Sequence, residues 1–247
     1  MYKSAENTQK MIESFYSTKL IKRVRNSITN KTKDVEDFVE EDKKTECIIY
    51  KNKEYGSTYR KILKNKLEIL VYIHPKVIKN LKENNPFKSL NKRNTSDFLV
   101  FAEEIDHWVY LNTKFELEKT PSNFELELQA AVTKYWLTAW SILNKGKSAT
   151  RFISDYNDKL NKDSLNFLMI NIFPQNYIKL DKNKINMEDI IKGEDYLVAD
   201  LLARDYCKNL TGKSIDTILF NLRKFYWADG EEKINYVMRD SKTNLTL

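Results

Sequence analysis

The sequence predicts an all-α protein, an irregular multi-helix bundle of about seven or eight helices around a central helical hairpin of residues 97–118 and 122–143. Three observations carry that expectation. Glycine and proline are scarce, five and four among 247 residues, whereas sandwiches, barrels and α/β folds spend them at tight turns and strand-to-helix loops. Apolar residues recur at three- and four-residue spacing over long stretches. Two of the longest such stretches flank the turn "KTPSN", and Ser96 and Ser122 stand where helix starts want a capping hydroxyl.

The elements follow in chain order. Residues 6–28 read as a helix with Met11, Phe15, Leu20 and Ile21 among its apolar positions. Residues 29–45 mix acids and bases, the pattern of a flexible segment or an exposed helix. Cys47–Tyr50, "CIIY", is a short β-branched run that suits a strand or a lead into a helix equally. Ser57 is read as the cap of a helix through Ile73, which stops at His74-Pro75 because the residue before proline avoids the α region. Pro75 suits the first turn of the next helix, to about Lys82. Ser96 opens the helix Asp97–Glu118. Ser122 with Glu125 three residues on forms a capping box that opens the next helix, to about Leu143.

Beyond Leu143 the pattern is less regular. Short helices are expected around 152–160 and 165–172, with Pro174 interrupting. Glu194–Leu210 reads as a helix, another begins near Ser214 and runs to about Tyr226, and 229–247 reads as a polar tail. Neither a repeat nor a clear linker divides the chain, so a single domain over 1–247 is expected.

Composition narrows the class. Hydrophobic residues make up 41% and charged residues 31%, as in an ordinary globular protein. Cys47 and Cys207 are too few for a thiolate zinc site and read as free thiols of a reducing compartment. With no apolar run of about 18 residues and no signal-type N-terminus, a cytoplasmic location is expected. "GKS" occurs at 146–148 and 212–214, but a phosphate-binding P-loop needs another glycine five residues earlier, where Ser141 and Cys207 stand. Two histidines, one of them pinned before a proline, give no catalytic triad. No cofactor is expected.

The stretch "FAEEIDHWVY" (Phe101–Tyr110) sets three acids and a histidine among large apolar side chains. At about 100° per residue, Phe98, Phe101, Ile105, Trp108 and Val109 share a side. Glu103 and Asp106 fall outside it, towards water. Glu104 falls within it and His107 at its edge, one turn away. Glu104-Ile-Asp-His107 resembles the E-x-x-H motif of ferritin-like di-iron bundles, which use two such motifs and two further glutamates. This chain offers one. Glu125, in the following helix, is roughly 15 Å along the axis from the level of Glu104. Glu104 and His107 are thus weak candidates for a metal or catalytic site. The leading expectation is a buried acid answered by a donor such as Tyr135, Tyr196, Tyr206, Arg204 or Arg151, because an unanswered buried carboxylate costs several kcal/mol or shifts its pKa.

Charge is the second signal. Residues 51–100 hold 12 Lys and Arg against 4 acids. Arg60, Lys61 and Lys64 are read as one helix face, and Lys76, Lys79 and Lys82 recur every third residue. A basic patch over 57–93 suits nucleic acid, an acidic protein or an anionic surface. The expected function is a non-enzymatic scaffold or regulatory protein binding a macromolecular partner. A nucleic-acid-associated protein using the patch is the alternative, and a metal-dependent helical enzyme at Glu104 and His107 the weaker one.

Overall fold

A computed structural model describes residues 1–40, 48–52, 55–63, 66–144, 169, 172–173 and 196–242. The chain is mostly helical, with eight α-helices among the described residues, but it also carries a small sheet. It divides into two compact units, Met1–Ser14 with Thr18–Thr120, and Phe15–Ser17 with Pro121–Leu247.

The first unit contains the sheet. Its strands are β1 (Ile28–Thr29), β2 (Ile48–Asn52), β3 (Gly56–Leu63) and β4 (Lys66–Ile73), in the order β1-β4-β3-β2. The last three form an antiparallel meander, and β1 adds in parallel to β4 with Ile28 opposite Val71. The helix expected over 57–73 is therefore corrected to two strands. From Leu67 to Ile73 alternate residues are buried, Leu67, Ile69, Val71 and Ile73. The intervening Leu70 and Tyr72 are themselves apolar and half-buried, which blurs the two-residue period. The "CIIY" run does enter a strand, β2.

The helices here are α1 (Tyr2–Tyr16, of which Phe15 and Tyr16 belong to the second unit), α2 (Thr32–Glu40), α3 (Pro75–Glu83) and α4 (Thr95–Glu116); α2 and α4 pack on the sheet and α3 on α4. The register puts Gly56, Thr58 and Arg60 of β3 on the same sheet face as Ile73, Val71 and Ile69, and this face carries α4. On the other face Lys61 lies over the ring of Phe38 in α2, 4.2 Å from its centroid. The first helix is shorter than the expected 6–28. Ser17 turns left-handed (φ 52°), and the Thr18 amide returns to the Glu13 carbonyl at 3.0 Å, the closing bond of a Schellman cap. Ile21, expected on the apolar side, is 94% exposed. The segment expected to be flexible or an exposed helix carries α2, which buries none of its residues. Pro75 opens α3 as expected, with His74 Nδ1 accepting from the Lys76 amide at 3.2 Å.

The second unit contains α5 (Asn123–Asn144), α6 (Tyr196–Leu210), α7 (Ile215–Trp227) and α8 (Gly230–Lys242). Ser122 and Ser214 cap α5 and α7 through the Glu125 and Thr217 amides. α6 packs on α5 and α8, and α7 on α8. Tyr206 of α6 stacks on Phe225 of α7 at 4.3 Å between centroids. Of the stretch 229–247 read as a polar tail, Gly230–Lys242 form α8, and its Lys233, Ile234 and Val237 are buried. Lys64, Cys47, Arg151 and the Tyr196 side chain lie outside the described residues. So does nearly all of the segment where short helices were expected between 152 and 172. No helix among the described residues is long and apolar enough to cross a membrane.

Candidate functional site

Two features of the first unit concentrate polar chemistry, a buried acid on α4 and a basic surface on α3. Glu104 is 3% exposed and His107 2% exposed, as their place on the apolar side of the helix requires. Glu104 Oε2 accepts a hydrogen bond from the Thr58 hydroxyl of β3 at 2.7 Å, and His107 Nδ1 lies 3.8 Å from the same oxygen. Gly56 makes room for the acid: a Cβ there would stand 2.9 Å from Glu104 Cγ and 3.0 Å from Val100 Cγ1. Burial pushes the Glu104 carboxyl above its usual range. The His107 ring and the Thr58 hydroxyl pull it back, while Glu103 adds to the rise.

Among the described residues the hydroxyl that answers Glu104 is thus Thr58, and not that of Tyr135 or Tyr206. Tyr135 OH pairs with Thr211 Oγ1, Tyr206 OH donates to the Asn221 carbonyl, and Arg204 meets Asp205. Thr58 escaped the sequence reading because a residue assigned to a helix gives no hint that it faces α4 across a strand. Asp106, expected towards water, is fully buried, and Glu103 is half-buried. A helical wheel presumes one covered side, whereas every residue from Glu104 to Lys114 is buried. The pair has the means to share a proton, and both side chains are buried. Glu125 serves the start of α5, where its amide is capped by Ser122.

Of the basic patch expected over 57–93, the part at Arg60 and Lys61 is buried. Arg60 and Lys61 are consecutive on a strand, so they point to opposite faces, and they are 4% and 3% exposed. Arg60 and Lys61 therefore share no helix face, and Lys64 lies outside the described residues. The exposed charge lies further on. Lys76, Lys79 and Lys82 are exposed on α3, whose Val77, Ile78 and Leu81 are buried, and Lys88, Lys92 and Arg93 are exposed in the loop that follows. From 76 to 93 six basic residues stand against one acid, Glu83.

Asparagines hold this loop in shape. Asn94, fully buried, donates to the carbonyls of Asn84 and Ser89 and accepts from the Asn91 amide. Asn80 of α3 donates to the Arg93 carbonyl at 2.7 Å and to Asp97 Oδ2 at 2.6 Å. Phe87 anchors the loop from within, edge-on to Phe98 of α4 at 6.0 Å. The Asn-rich "ENNPFKSLNKRNT" was the available signal, since asparagine side chains bond nearby backbone in turns. Compared with known proteins, the chain matches no family model, no curated protein and no solved structure, so its function has to be read from its own residues.

Proposed function

We propose that the protein is a non-enzymatic, cytoplasmic binding protein of scaffold or regulatory type that engages nucleic acid through α3 and the loop 84–94. The observation that supports this reading is the concentration of six exposed cations on a surface clamped by asparagine side chains. A binding surface gains affinity when its groups are ordered before the partner arrives. Between 76 and 93 no large apolar side chain is exposed. Protein interfaces draw on buried aromatic and arginine anchors and are depleted in lysine. A surface of five lysines and one arginine with no exposed large apolar side chain between 76 and 93 suits phosphates.

The test is fluorescence anisotropy with labelled oligonucleotides over a range of salt. Binding is expected to weaken steeply with salt, as each neutralised phosphate releases counterions. The triple variant Lys79→Gln, Lys82→Gln and Lys88→Gln should bind more weakly and with a shallower slope. Binding to an acidic polypeptide but to no nucleic acid at low salt would refute this reading.

A further inference from the structure

Tyr55 is 45% exposed, although a tyrosine ring gains by burial. It is held nonetheless. The His74 amide donates to the Tyr55 carbonyl at 2.8 Å, and the two rings meet edge-on at 6.4 Å between centroids. His74 is in turn the residue that caps α3, its Nδ1 accepting from the Lys76 amide. An exposed aromatic ring thus lies beside His74, the residue that caps the helix presenting Lys76, Lys79 and Lys82.

We propose that Tyr55 is a stacking platform for an unpaired base, and that the nucleic acid bound by this surface is single-stranded. This rests on the nucleic-acid reading above and makes it specific. Single-strand binding combines a positive track for the phosphates with aromatic rings on which bases stack. Duplex bases are already stacked on each other and offer Tyr55 no free face. The lysines of α3 supply the track, and Tyr55, braced against His74, supplies the ring where that track begins. Every base has a π face and the lysines read charge alone, so this recognition is indifferent to sequence.

The full-length chain is titrated with a labelled 12-nucleotide single strand and with a hairpin duplex of the same composition. Tyr55→Ala should weaken single-strand binding by about 5- to 100-fold and leave both the salt slope and duplex binding unchanged. Tyr55→Trp should retain or tighten it. A melting curve for each variant separates loss of stacking from loss of fold, and Tyr55→Phe, which keeps the ring, should bind as the parent does. Single-strand binding unaltered in Tyr55→Ala, or duplex binding weakened equally, overturns the stacking proposal while the basic surface stands. An absence of nucleic-acid binding at low salt overturns both.

Discussion

Each unit buries an ionisable side chain of opposite sign, and the two are accommodated in different ways. Glu104 is short and lies tight against β3: a Cβ at position 56 would stand 2.9 Å from its Cγ, and the Thr58 hydroxyl meets the carboxylate directly. Lys233 is long, and other side chains reach it. Its ammonium donates to Gln129 Oε1 at 2.6 Å and lies 4.8 Å from the centre of the Phe225 ring. The amide end of Gln129 is turned by Thr133, which pairs with Tyr16. The acid therefore sits close against a strand, with little room for added volume. The lysine sits where a relay of rotatable groups can readjust.

Substitutions sharpen this contrast. Lys233→Ala should be the most destabilising, by about 3 kcal/mol, since it removes several buried methylenes and a charge-assisted hydrogen bond. Lys233→Met, apolar and of similar length, should lose less than Lys233→Ala, because it keeps most of the buried methylenes and forfeits chiefly the polar contacts of the ammonium. Urea denaturation measures both, and equal losses would show that the relay does not readjust. Gly56→Ala should cost about 2 kcal/mol by overpacking Glu104 and Val100, an effect that Gly212, with nothing near its Cβ position, cannot produce by crowding. Thr58→Val should cost about 1 kcal/mol through the lost hydrogen bond.

The acid also marks its unit through pH. Its carboxyl is raised in the folded chain above its ordinary value of about 4.5, so the native state holds that proton more tightly than the unfolded chain does. The linked stability is fully present below the unfolded value and is lost as pH rises through the folded one. Glu104→Gln should abolish this loss, so the difference between variant and parent should move in the variant's favour from about pH 4.5 upward. Denaturation midpoints at a series of pH values test it; parallel profiles would mean that Glu104 ionises as freely in the native state as in the unfolded chain.

The smallest effect belongs to the helix ends. Ser17 and Glu118 are both left-handed, a conformation that glycine adopts without strain. Ser17→Gly or Glu118→Gly should each raise stability by about 0.5 kcal/mol, the relief of strain being partly offset by the freer unfolded chain.

Much of the helical frame could be read from local chemistry. Ser122, Ser214 and Pro75 mark helix starts because capping and proline act within a few residues. The buried side of α4 at Glu104 followed from periodicity. What escaped the reading depends on contacts remote in sequence. β4 is apolar on both faces, so its period is faint, β3 carries polar and charged residues on its buried faces, and the partner of Glu104 is 46 residues away. Arg60 and Lys61 carried charge in composition, but the strand turns them inward. The exposed lysines of α3 were visible as a spacing, and the asparagines that fix the adjoining loop become meaningful only when their partners are known.

The arrangement of the sheet also sets an order of events in time. β2, β3 and β4 are consecutive and pair by short hairpins, whereas β1 reaches β4, and Thr58 reaches Glu104, only by closing loops of more than forty residues. Closing long loops slows folding because the entropy is lost before the contact forms. The meander should therefore assemble first and α4 should settle on it late. In stopped-flow experiments Thr58→Val should then hasten unfolding and leave the refolding rate nearly unchanged; slowed refolding would place the strand–helix contact in the folding nucleus instead. The carboxylate latch is then one of the last contacts to form and one of the first to open.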